Sequence, residues 1–507
     1  MATVTLPGAG KAFISITAGA DDQTQLAAAI KSEFNAAGAN FTANTVASGK
    51  AGTAGFFNLV FEDGPSKVTA QAGANVQAIV DIGKGIDTLI GGAATNLIVT
   101  NGAGDSVTTG LVTGVASVFG GAGSDTVNVN GKAQVYLEAG KNQVTVGDGD
   151  SVSLLGTGGS DTVKVIGNKD TVSSAYAVTV DIGAAKVTET LNLAAGSKVS
   201  ISGANDTVTL TGAKSSVTIT GASDQLTASG ITTVTLNGTK VSETLGLANG
   251  STVNVSGASI SAGITGAGHT INLSGAGDTV SLSLSGADTV NITAGTKDSI
   301  TSTGPIKVNI TAAKSNDTLS FGGNSTISLG TSDTVTLTGK GGAVITASGS
   351  ATVIGGAGAL NFTGAANAKD SIKAGAGATT ITAGKGALDT MVAGSGSALL
   401  THGTGGKDTM IAGTGNSTMV GAGKDATHTD LFQFNKGTGG NHTIQAFTSG
   451  KDTIDLHGYT KAELTAAITA GAKTFKGGTE TITLADHTKI TITGLTKALT
   501  AKDINNI

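Results

Sequence analysis

From Gly375 to Asp425 the chain alternates glycine-rich turns with short runs in which apolar and hydroxyl residues take turns, in units opening at Gly375, Gly384, Gly394, Gly403, Gly413 and Gly421. GAGATTITA and GTGGKDTMIA are two of them. A period of two is the pattern of a strand with one face buried. A strand this short cannot bury that face alone, so the pattern predicts copies stacked into a parallel solenoid, each half-coil a turn and a strand.

Asp followed by Thr or Ser marks the same rhythm upstream, at Asp87, Asp105, Asp125, Asp150, Asp161 and Asp170, then Asp278, Asp288, Asp298, Asp317 and Asp333, then Asp370, Asp389 and Asp408. The steps predict coils of about 18–19 residues with two strands each. KVTETLNLAAGSKVSISGA at Lys186 matches KVSETLGLANGSTVNVSGA at Lys240, an offset of 54 shared by Asp170, Asp224 and Asp278. Fifty-four is three coils of eighteen. Positions such as Val208 and Val217 then face inward and the flanking threonines outward. Immunoglobulin-like sandwiches are the competing all-β architecture, and they need less regular turns and larger aromatic cores.

The ends break the rhythm. Leu26, Ile30 and Phe34 fall on one face of an alanine-rich stretch after Asp21 and Asp22, which predicts a helix over about Asp22 to Asn35. Phe56 to Phe61 reads as an apolar strand. After Asp430 the scarce aromatics gather at Phe432, Phe434, Phe447, Tyr459 and Phe475, with a short helix expected from Lys461 to Ala470 and strands from Thr479 to Leu484 and Lys489 to Thr493. The expected organisation is all-β: a small α/β N-terminal cap over 1–80, a β-roll or β-helix body over 81–428, and a β-rich module over 429–507. A body of about eighteen coils at about 4.8 Å each is expected to reach about 90 Å.

Composition supports this thin core. The 507 residues include 79 glycines, no cysteine, no tryptophan and 3% aromatics, so aliphatic side chains must fill the interior. Disorder needs low hydrophobicity and high net charge, whereas 39% of residues are hydrophobic and the net charge is -5. All 30 basic residues are lysine and they are scattered, which gives no reason to expect nucleic acid. No apolar run is long enough for a transmembrane helix, and the first residues lack the basic and apolar regions of a cleaved signal peptide. The six histidines form no HExxH, and no GxSxG elbow or Walker loop precedes a suitable helix, so no enzyme activity is expected. Glu189 and Glu243 recur through the 54-residue repeat as an architectural position, and His428 lies near Asp425 and Asp430.

Gly120 to Asn128, GGAGSDTVN, fits the nonapeptide GGxGxDxUx in full, and Gly156 to Val163 and Gly403 to Met410 fit it in part. This resembles the RTX family of secreted calcium-binding repeats. The resemblance implies Ca²⁺ as cofactor and places the metal role on Asp125, Asp161, Asp408 and Asp389. The same aspartates also suit Asx-turn hydrogen bonds to nearby amides, an alternative that stays open here. The pattern departs from the family where Thr380 and Leu399 stand in alternate units, leaving carboxylates on only one edge. DLFQFNKGTGGNHTIQAFTSGKDTIDLHGY at Asp430, TITLADHTKITITGL at Thr481 and the final LTAKDINNI resemble the C-terminal region of RTX proteins exported uncleaved by type I secretion machinery. The expected function is an extracellular, self-assembling subunit of a surface layer, fibre or biofilm matrix, with cell-surface polysaccharide as a further partner. A secreted adhesin or an ice-binding solenoid is the alternative.

Overall fold

The computed structural model describes residues 76–505 apart from 82–84, 101–103, 157–158, 284–287, 387 and 424–428. Before residue 76 it describes a helical turn over 25–29 and six strands between Ala2 and Ala70. Leu26 in that turn is buried, whereas Ile30, Phe34, Phe56 and Phe61 lie outside the described residues. The chain divides into two compact units, Met1–Ser251 and Thr252–Ile507.

Each unit is a parallel β-solenoid. In the first, one sheet runs through Ala133–Leu137, Ser151–Leu154, Thr171–Ser174, Thr188–Leu193 and Thr207–Thr211, each strand paired in parallel with the next. The other runs through Thr126–Asn128, Gln143–Val146, Thr162–Val165, Thr179–Ile182 and Lys198–Ile201. Successive strands of the chain alternate between the sheets, so one coil is two strands and two turns. Parallel pairing also joins Ala43–Val46 to Phe57–Val60 and that strand to Ala78–Asp81, so stacking extends into the segment expected as a cap. A separate antiparallel hairpin pairs Ala2–Pro7 with Phe13–Ala18.

The period-two pattern gives the interior directly. Val144, Val163, Val180, Val199, Val217 and Val234 sit in register on consecutive coils, each at most 3% exposed. Fully burying each such side chain stabilises by about 1.5–3 kcal/mol relative to leaving it in water. Val208 and Val217 both face inward, as their spacing predicts.

One departure from simple stacking recurs. Thr171 pairs with Thr190, but Thr188 pairs with Thr207, so the strand Thr188–Leu193 starts two residues early and brings Glu189 into register with Val208. An even slip keeps every side chain on its own face, so the sheet moves sideways by one inward position without exposing its core. Asp317 does the same in the second unit, in register with Val335.

In the second unit the parallel sheets continue past residue 429 through Leu431–Asn435, Asn441–Gln445 and Thr453–His457. The strand Lys489–Thr493 then pairs in parallel with Asn441–Gln445 on one side and antiparallel with Thr479–Thr483 on the other. The helix Lys461–Ala472 packs on that antiparallel strand, with Gly471 against Glu480 and Ile482. It starts at a capping box in which Thr460 and Glu463 satisfy each other's backbone amides. Reversal of strand direction plus a covering helix is how a parallel stack closes an edge that would otherwise pair with another chain.

Candidate metal centre

The aspartates of the repeat do not line a solvent-facing turn. They are buried at, or immediately before, the start of a strand and form rungs between coils. Asp105 donates its amide to Asp125 Oδ1 at 2.9 Å, Asp125 to Asn142 Oδ1 at 3.0 Å, and Asn142 to Asp161 Oδ1 at 2.7 Å. The other sheet carries a second set, in which Asp150 donates to Asp170 at 2.7 Å and Asp170 to Glu189 Oε2 at 2.7 Å, while Asp206 donates to Asp224 at 2.9 Å. In the second unit Asp370, Asp389, Asp408, Asp430 and Asp452 occupy consecutive coils, each linked to the next in this way. The corresponding positions of the opposite sheet there are Thr379, Ala398 and Ser417, which explains the single acidic edge read from the sequence.

Local sequence builds each rung. The residue before the acid adopts positive φ at Lys169, Asn205, Ser223, Lys297 and Ser332, which turns the following carboxylate inward. Three residues before Asp150 and Asp333 stands a glycine whose amide reaches the second oxygen, Gly147 and Gly330 respectively, both at 2.7 Å. The local bond at these two acids is therefore donated from upstream, not from two residues on as in an Asx turn, and it is joined by a bond to the neighbouring coil.

The four residues assigned to calcium from the sequence separate into two environments. Asp389 and Asp408 use both oxygens on backbone amides, Oδ1 on the preceding rung and Oδ2 on Gly384 and Gly403, at 3.2 and 3.3 Å. Asp125 and Asp161 each keep Oδ2 buried without a hydrogen-bond partner, and burial raises Asp161, opposed by Asn142 and by the nearby Tyr176 side chain. Burial pushes Asp125 up to about 7, opposed by the Asp105 amide and aided by the Asp105 charge. Burial likewise raises Asp170 to about 6 and Glu189 to about 8, and the adjacent charge of Asp170 adds to the effect on Glu189. An oxygen such as Asp125 Oδ2 either carries a proton or meets a cation; left ionised and bare it is costly.

Among the described residues, three or more metal-ligating side chains converge in two places. Asp81, Asp87 and Asp105 bring three buried carboxylates together, an all-oxygen set that suits a hard cation such as Ca²⁺. Asp408 meets His402 and Asp430, with His402 Nδ1 3.0 Å from Asp408 Oδ2 and 2.9 Å from Asp430 Oδ1. Burial disfavours the charged imidazole, but the two carboxylates outweigh it and hold the ring at about 10. Sequence reasoning placed only Asp408 here. His402 lies in a glycine-rich turn, and Asp430 follows Asp408 by 22 residues where the two preceding rungs are 19 apart. His428 and Asp425 lie outside the described residues.

Compared with protein-family models, curated proteins and solved structures, the chain matches none. No helix among the described residues is long and apolar enough to cross a membrane.

Proposed function

We propose that this chain is an extracellular structural protein that assembles with copies of itself into a surface layer, fibre or biofilm matrix, that its acidic coils take up Ca²⁺, and that it turns over no substrate. The observation that carries this reading is the ordered outer face of one sheet in the second unit. There Asn254, Asn272, Asn291 and Asn309 stand on consecutive coils, each amide nitrogen donating to the preceding side-chain oxygen at 2.8 Å. The same column continues in register through Ser328, Thr346, Thr363, Thr382 and Thr401. Beside it a shallow groove of about 530 Å³ is lined by Ala343, Val344, Leu360, Ala378, Ala398 and Leu399 among others, with Val344 and Leu399 exposed. A regular polar column beside a groove in which Val344 and Leu399 are exposed favours repeated lateral contact with a like surface.

Export through type I secretion machinery belongs to this proposal and is supported only by the likeness of the sequence after Asp430. Calcium is supported by the convergence of Asp81, Asp87 and Asp105. A row of threonines also invites the ice-binding reading, but the column beside it reads Val344, Asn361, Thr380 and Leu399, so that row has no second threonine row next to it.

Electron microscopy of the purified protein across a calcium titration tests the proposal. Filaments or sheets in the wild type, lost in Val344→Lys/Leu399→Lys while far-UV dichroism is unchanged, are expected. A wild type that sediments as a monomer at every calcium concentration overturns self-assembly and leaves the adhesin reading, with cell-surface polysaccharide as the ligand to try.

A further inference from the structure

We propose that His402, Asp408 and Asp430 form a binding site for a divalent transition metal of the zinc type, separate from any calcium bound by the all-oxygen acids. His402 Nδ1 stands 3.0 Å from Asp408 Oδ2 and 2.9 Å from Asp430 Oδ1. A ring N–H points in one direction and serves one oxygen well, whereas here two oxygens from different coils lie at nearly equal distance from the same atom. Ligands about 2.0–2.2 Å from a shared ion, at angles between 90° and tetrahedral, stand about 2.8–3.6 Å from one another. The two Nδ1–oxygen separations fall at the short end of that interval and all three ligand atoms lie within 4.8 Å of one another, so a metal replacing the Nδ1 proton is reached by side-chain shifts that open the angles.

The carboxylates are held in place before any ion arrives. Asp408 Oδ2 takes the Gly403 amide at 3.3 Å and Oδ1 takes the Asp389 amide at 3.0 Å. Asp430 Oδ1 takes the Asp408 amide at 3.2 Å and Oδ2 the Ala422 amide at 2.9 Å. Backbone amides thus play the orienting part that outer partners play around ligating carboxylates and histidines. Both acids are buried and the His402 side chain is 4% exposed, so no competing water shell surrounds the ligand atoms.

The donor set selects the class of ion. Imidazole nitrogen with carboxylate oxygen suits Zn²⁺ and its neighbours, while Ca²⁺ takes oxygen ligands. Coupled to the fold, such an ion ties the turn after Thr401 to the rungs of two successive coils, in the stretch where rung spacing changes from 19 to 22 residues.

The test is titration calorimetry of the full-length, chelator-stripped protein with Zn²⁺ and, separately, with Ca²⁺. The wild type is expected to bind one zinc per chain at this site, undisplaced by millimolar Ca²⁺, and to melt a few degrees higher with zinc present. His402→Ala is expected to lose that event, and Asp125→Asn, in the other unit, to retain it. X-ray absorption of the zinc-loaded wild type, which needs no variant to fold, is expected to show imidazole nitrogen together with oxygen around the metal. An absence of zinc binding, equal binding by wild type and His402→Ala, or an oxygen-only shell overturns the proposal and leaves His402 as an imidazolium paired with two acids. Loss of calcium-dependent assembly bears on the proposed function alone and leaves this result intact.

Discussion

The amide of Asp125 donates to the side-chain oxygen of Asn142 at 3.0 Å, on a rung that other coils fill with an acid. Asn142 also places its amide nitrogen on the Glu138 carbonyl at 2.9 Å. The chain itself therefore shows that asparagine serves as a rung. Asp125→Asn is expected to change stability by less than about 1 kcal/mol at pH 5 and to exceed the wild type at pH 8, where the wild type must ionise a buried carboxyl. Asp389→Asn is expected to behave differently, because its NH₂ would face the Gly384 amide, donor against donor, at a cost of about 1–3 kcal/mol. Chemical denaturation of both variants at both pH values checks this contrast.

Stability should fall as pH rises through neutrality in buffer free of divalent cations. A carboxyl whose pKa is raised by folding binds its proton more tightly in the folded chain. Its contribution is complete below the unfolded value and disappears as pH climbs through the folded one. Asp125 moves from 3.8 to about 7, Glu189 from 4.5 to about 8 and Glu243 from 4.5 to about 7, so the loss is expected between about pH 4 and 8. Asp486 acts in the opposite sense: burial is outweighed by the Tyr459 hydroxyl and the Gly437 and Thr488 amides, which hold it at about 2, so its contribution is lost as pH falls from about 4 to 2. Melting temperature against pH should peak near pH 4–5, and a maximum at pH 8 would contradict the buried-rung chemistry.

Gly221→Ala is expected to destabilise by about 3 kcal/mol or more. A Cβ there would stand 1.6 Å from the Gly203 carbonyl oxygen of the preceding coil and 2.5 Å from Asp224 Oδ2, and the backbone atom cannot step aside without separating coils. Urea unfolding of the variant measures the cost.

Asn291→Ala removes two side-chain hydrogen bonds, one to Asn272 and one from Asn309. Because these groups are half-buried, the expected loss is about 1–2 kcal/mol, read by thermal unfolding, with dichroism otherwise unchanged.

Much of this fold is legible from residues alone. The two-residue alternation fixes which of Val208 and Thr209 is buried, and the C-terminal strands fall at Thr479–Thr483 and Lys489–Thr493 with the helix at Lys461–Ala472, within a few residues of their expected bounds. Spacing also identified Glu189 and Glu243 as architectural. The site was less legible, because ligand convergence depends on which coil lies over which. Asp125 and Asp161 look like close partners in sequence, yet Asn142 stands between them. His402 and Asp430 are 28 positions apart and meet only because coils stack. The inward direction of the acids was hidden as well, since an Asx turn and a rung require the same residue after the same turn.

The slipped strands carry a genetic implication. Asp170 donates to Glu189 and Asp224 to Glu243, both at 2.7 Å and both 19 residues on. Because the two acids are 54 residues apart within matching sequence, excising 187–240 would bring Glu243 onto Asp170 with the same partner atoms. Duplicating the block would add three coils just as smoothly. Unequal recombination between the two copies can therefore change the length of this protein while every rung keeps a mate, whereas a deletion that is not a whole number of coils strands a buried amide.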